Sequence, residues 1–150
     1  MNRFFILFLV FCLVLCTQWV PNSECFASGY QGKYYFYTSQ DFDSQITQKT
    51  QNGKGYIISC DISKASVIKK SLNKNCLYGE SFFFKGGMDD INTLLNNLDI
   101  FYKTVNDMDI IAYSPKIDYQ MTVKQKIYNV QISNQDGLIY VGFPAILGSF

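Results

Sequence analysis

The run "FFFKGGMDDINTLLNNL", from Phe82 to Leu98, constrains the fold more than any other stretch of the chain. Consecutive aromatic residues read as strand, a glycine pair follows, and then Met88, Ile91, Leu94, Leu95 and Leu98 fall along one helical stripe. The apolar period changes from about 2 to about 3.6 residues across the glycines, so a strand must pass directly into an amphipathic helix. Neither element is stable until its apolar side is covered. Many phosphate-binding loops are built the same way, because the first N–H groups of a helix are free. Here Asp89 and Asp90 already occupy the first turn, where they favour the helix dipole and repel an incoming anion. With no GxGxxG or GK[ST] pattern and Lys85 as the sole nearby cation, the stretch predicts a structural corner, not a phosphate cradle.

The rest of the chain alternates in a way that fits this corner. "GKYYFYTSQ" is extended, with Tyr34 and Phe36 on one face and Tyr35 and Tyr37 on the other. "DFDSQITQKTQNGKGY" is polar, and its Asn52-Gly53 pair predicts a loop or loose hairpin leading into the strand "GYIISCD". Ala65, Ile68 and Leu72 then take helical spacing, with Asp61 or Ser63 as N-cap and Lys69, Lys70 and Lys74 at a solvated C-terminal end. "LYGESFFFKG" puts Tyr78, Phe82 and Phe84 on the same face as Glu80, an acid among apolar neighbours. That residue is either a positioned acid or, the preferred reading, one at an edge or strand end reached by water. "IFYKTV" and "DIIAY" form strands joined at Asn106-Asp107, and "KQKIYNVQISNQDGLIYVGFP" forms a hairpin about Asp136-Gly137. Two helices that need cover and a largely antiparallel sheet predict an α+β two-layer sandwich, with both helices on one face.

At the N-terminus, Arg3 precedes an uninterrupted apolar run from Phe4 to Cys16, and a polar, proline-containing stretch follows Val20. This is the layout of an export signal, and "CFA" ending at Ala27 offers small residues for cleavage. The expected organisation is a signal peptide over 1–27 and a single exported domain over 28–150. An uncleaved membrane anchor is the alternative, since Phe4 to Val20 reaches the lower limit of about 17 residues for spanning a bilayer. The membrane would then be met only through residues 1–20. Lipidation at Cys16 is disfavoured by the bulky Leu15 before it. Cys12, Cys16 and Cys25 would leave with the signal, and Cys60 and Cys76 would remain. In an oxidising compartment that pair is a disulfide candidate worth about 3 kcal/mol, the alternative being two reduced, buried thiols.

Catalytic chemistry is sparse. The chain contains no histidine, which removes the usual catalytic triads and the commonest metal ligand. Asp41 and Asp43, Asp89 and Asp90, and Asp107 and Asp109 are close in sequence, but glycoside hydrolysis needs two carboxyl groups facing each other across a cleft. "DFDSQ" opens like a calcium loop and lacks its later glycine and closing glutamate. No metal or cofactor is therefore expected. Thirteen basic against twelve acidic residues, with no basic stripe, disfavour nucleic-acid binding. Tyr35 and Tyr37 are the candidate surface-binding residues, able to stack on a sugar or pack on a protein if they face solvent, and otherwise a second layer of core.

The series "GESFFFKG", "IIAYSPKI", "VQI" and "GFPAILGSF" resembles the pattern in small exported proteins of Gram-positive bacteria related to the YwmB family, a family of no established function. The resemblance covers about the last half of the chain. It implies a TATA-box-binding-protein-like fold, a curved antiparallel sheet with helices on one face, and carries no implication of DNA binding. The function expected from the residues is a non-enzymatic exported domain of the cell envelope that binds an envelope protein or a cell-wall component. An accessory protein with no small ligand is a further reading. The rival from another class is a small carboxylate-dependent hydrolase of wall glycan or peptide, using Glu80 with Asp89 or Asp90.

Overall fold

The computed structural model describes residues 25–107 and 109–146. Its elements run β1 (Gly32–Thr38), β2 (Gln48–Asn52), β3 (Gly55–Asp61), α1 (Ile62–Ser71), a 3-10 turn (Lys74–Cys76), β4 (Leu77–Lys85), α2 (Met88–Asn97), β5 (Tyr102–Asn106), β6 (Asp109–Tyr113), β7 (Met121–Val123), β8 (Lys126–Tyr128), β9 (Val130–Gln135) and β10 (Leu138–Phe143). The fold is α+β. Eight strands form one antiparallel sheet in the order β2-β3-β1-β4-β10-β9-β6-β5, and β7 and β8 make a separate hairpin. Every hairpin turn has at least one residue with positive φ, among them Gly53, Asp107, Lys124, Gln125, Asp136 and Gly137, as the primed turns that suit a twisted ribbon require.

One face of the sheet carries the core. Tyr34 and Phe36 of β1, Ile58 and Cys60 of β3, Phe82 and Phe84 of β4, and Ile139, Val141 and Phe143 of β10 all point into it. Ile62, Ala65 and Ile68 from α1 and Ile91, Leu94 and Leu95 from α2 cover these side chains. Both helices thus lie on one layer, as their apolar stripes require. Met88 departs from its expected place in the stripe: it sits at the first turn of α2 and is 63% exposed.

The Gly86-Gly87 corner is structural. The Gly87 N–H donates to Asp90 Oδ2 at 2.8 Å, so the helix N-terminus is satisfied by its own aspartate. At Gly86 a Cβ would lie 2.8 Å from Ile139 Cδ1 and 2.9 Å from Phe84 Cε2, so a larger residue there must displace these core side chains. α1 begins after Asp61 as expected, although that side chain makes no capping bond and instead pairs with Lys33 at 2.9 Å.

Two sequence expectations are corrected by the sheet. The long C-terminal hairpin is interrupted at Asn129, which is fully buried and leaves the strand pattern to hold the preceding loop. Its Nδ2 donates to the Ser114 and Ile117 carbonyls at 2.7 and 2.9 Å, and its Oδ1 accepts from the Ser114 N–H at 2.8 Å. Tyr78 does not share the face of Glu80. The β1–β4 register pairs Tyr37 with Gly79 and Thr38 with Leu77, so Tyr78 is the extra residue of a bulge and its ring meets Tyr37 at 5.7 Å on the opposite face.

Candidate functional site

Two groupings of chemistry-bearing residues stand out, one around a buried carboxylate and one of aromatic rings on the opposite face of the sheet. The buried one is centred on Glu80, expected at a water-reached edge. That expectation is overturned: β4 lies between β1 and β10 in the interior of the sheet, and Glu80 is 1% exposed. Three donors make this burial tolerable. Glu80 Oε2 accepts from Tyr34 Oη at 2.6 Å, and Oε1 accepts from Tyr119 Oη at 2.7 Å and Lys69 Nζ at 2.8 Å. Lys69, expected in a solvated helix end, turns inward for this pair, while Lys70 and Lys74 stay exposed. Burial and the Glu80 charge both push the Tyr34 and Tyr119 hydroxyls far up, which keeps them protonated as donors.

Held by three donors and only 1% exposed, Glu80 has no open surface on which to meet a substrate. The hydrolase reading also needs Asp89 or Asp90 across a cleft from it. These residues instead follow the far end of β4, five strand residues beyond Glu80, about 17 Å at the usual rise per residue. Asp90 is engaged at the Gly87 cap. The structure therefore does not bring the candidate acid pair together. Among the described residues, no cluster of three or more His, Cys, Asp or Glu side chains is arranged to hold a metal ion.

The two disulfide candidates are separate thiols in this fold. Cys60 and Cys76 are both free thiols, Cys60 buried on the core face of β3 and Cys76 half-buried at the end of the 3-10 turn, and they are not bridged. Burial pushes the Cys60 thiol up to about 11. Cys25, expected to depart with the signal, packs on the core with Phe26, and Ala27 is fully buried. Native-state alkylation at pH 8 is expected to modify Cys76 readily and Cys60 only after unfolding, read by peptide mass spectrometry. Equal labelling of the two in the folded protein would contradict this placement.

The aromatic grouping lies on the other face of the sheet. Tyr35 of β1, Phe83 of β4 and Tyr140 of β10 form a row across three adjacent strands, with ring centroids 6.1 and 5.5 Å apart. Tyr37 and Tyr78 extend this aromatic surface along β1 and β4. All except Tyr78 are half-buried, and Tyr78 is 53% exposed. Lys33 and Asp61, a partly exposed ion pair at 2.9 Å, border the row.

The remainder of this face is covered by the chain itself. The β7–β8 hairpin lies over β5: Tyr102 Oη donates to the Ile127 carbonyl, Tyr128 Oη lies 3.4 Å from Thr104 Oγ1, and Tyr128 is buried. After Phe143 the backbone of Ala145 and Ile146 crosses Gly142, where a Cβ would fall within 2.2 Å of it. The Ile146 N–H donates to Gln131 Oε1 at 3.1 Å. Among the described residues, these covers and the β2 edge bound the aromatic surface over β1, β4 and β10. Sequence reasoning named Tyr35 and Tyr37 but missed Phe83, Tyr140 and Tyr78, because their common face depends on strand order and on the bulge.

No protein-family model, curated protein or solved structure matches this chain.

Proposed function

We propose that this is an exported cell-envelope domain that binds a cell-wall glycan on its aromatic sheet face, without catalysis. The carrying observation is the row Tyr35–Phe83–Tyr140, three rings at 6.1 and 5.5 Å on neighbouring strands. Rings fixed side by side on a rigid sheet offer apolar surface and the Tyr35 hydroxyl at low entropic cost, which suits apolar sugar faces edged by hydroxyl groups. The Lys33–Asp61 pair adds polar groups at the rim for hydroxyls and amides. The apolar run from Phe4 to Cys16 behind Arg3 supports delivery to the envelope. No helix among the described residues is long and apolar enough to cross a membrane.

The test is co-sedimentation with isolated peptidoglycan. The protein is expected in the pellet, with no soluble fragments released. The double variant Tyr35→Ser, Tyr37→Ser is expected to lose at least about tenfold in affinity, as removal of one or two stacking contacts does. Its circular dichroism should stay native. Release of soluble muropeptides would instead identify an enzyme, and an unbound protein an accessory role.

A further inference from the structure

The sheet ends in two unlike edges. The β2 edge is Gln-Lys-Thr-Gln-Asn, entirely polar and exposed, with Lys49 held to Asp41 at 2.6 Å. Such an edge is well guarded against pairing. At the other end, β5 is flanked by Phe101, 80% exposed, and carries Val105, 58% exposed. The register Tyr102–Tyr113, Thr104–Ile111 and Asn106–Asp109 closes on a two-residue turn, so these pairs exchange the ladder bonds. The backbone N–H and C=O of Lys103 and Val105 therefore point away from β6. Beside them, a shallow groove of about 630 Å³ runs between the end of α2 and β5, lined by Leu95, Asp99, Ile100, Phe101 and Lys103 among others, the Asp99 carboxylate being paired with Lys116 at 2.7 Å.

We propose that the β5 edge docks an extended segment of a partner protein, added to the sheet as a further antiparallel strand with an acidic side chain opposite Lys103 and apolar side chains at the positions on either side. The backbone groups of Lys103 and Val105 supply the main-chain bonds of strand addition, and the groove receives alternate side chains. Lys103 sets the charge of the partner, since it is exposed and forms no ion pair among the described residues. The same lysine disfavours a second copy of this chain. Two β5 edges paired about Thr104 would place both Lys103 side chains on one face at diagonal positions about 7–8 Å apart, where like charges repel.

The experiment uses the full chain and a capped seven-residue strand peptide alternating threonine with valine, glutamate and valine on one face. A control peptide carries lysine in place of the glutamate. NMR titration is expected to shift and protect the Lys103 and Val105 amides with the glutamate peptide only. Lys103→Glu should weaken that binding by at least about tenfold and transfer the preference to the lysine peptide, a reversal that simple misfolding does not produce. Val105→Pro, which removes an outward N–H and leaves the β6 ladder intact, should weaken both. Absence of peptide-dependent protection overturns the proposal, as does binding indifferent to the Lys103 charge. A dimer in sedimentation that protects the same amides without peptide would assign the edge to a second copy and overturn it too.

Discussion

Replacing Glu80 with alanine is expected to destabilise the domain by about 3–5 kcal/mol, the cost of breaking a buried ion pair by removing one partner. The variant strands the Tyr34 and Tyr119 hydroxyls and the Lys69 ammonium, which is itself only 19% exposed. Lys69→Met should cost less, about 1–3 kcal/mol, because two phenol donors still serve the carboxylate. Glu80→Gln combined with Lys69→Met should cost less than the sum of the two single changes, since each removes the same charge pair. Urea denaturation with an unchanged m-value measures all of these. A loss under about 1 kcal/mol for Glu80→Ala would mean that water, not the three donors, satisfies the carboxylate.

The same cluster sets an alkaline limit. The folded state raises the Tyr34 and Tyr119 hydroxyls above their ordinary value of 10.0, and the Cys60 thiol from 9.0 to about 11. A raised value means the unfolded chain loses its proton first. The stability these groups contribute is therefore complete below about pH 9 and declines as pH rises, first through Cys60 and then through the tyrosines.

How much of this was legible in the sequence depends on whether a signal was local. The strand–glycine–helix corner, the turns at Gly53 and Asp136-Gly137 and the alternation in β1 were readable, because turn chemistry and period are properties of neighbouring residues. The place of Glu80 was not. Nothing in "LYGESFFFKG" says that β4 lies between β1 and β10, and only that position brings Tyr34, Tyr119 and Lys69, from three other segments, onto one carboxylate. Lys69 looked like a solvated cation for the same reason. Tyr78 lies on the face opposite to the one that simple alternation predicts, because one bulge residue inverts the alternation beyond it. The aromatic row was half visible: Tyr35 follows from alternation in β1, but Phe83 and Tyr140 join it only through strand order and register.

A chain beginning at Ser28 is expected to be about 2–4 kcal/mol less stable than one beginning at Cys25, from the apolar burial it forfeits. The expected signal boundary after Ala27 falls inside packed structure. Ala27 is 0% exposed, Phe26 meets Phe143 edge-on at 5.9 Å, and Cys25 packs on the same core. The turn that follows is tied by Ser28 N–H to the Cys25 carbonyl at 2.9 Å and by Tyr30 N–H to the Ala27 carbonyl at 3.1 Å. That turn delivers Tyr30 onto Phe84, 3.8 Å between centroids, so losing residues 25–27 also loosens the cover of β4. Thermal unfolding of the two chains reads the difference directly, and equal midpoints would show the segment to be dispensable. Sequencing the N-terminus of the protein isolated from cells shows which of the two chains is present. A chain that retains Cys25 keeps the cover of Phe143 intact, whereas one that starts at Ser28 leaves Phe143 and Phe84 partly uncovered and holds β4 less firmly.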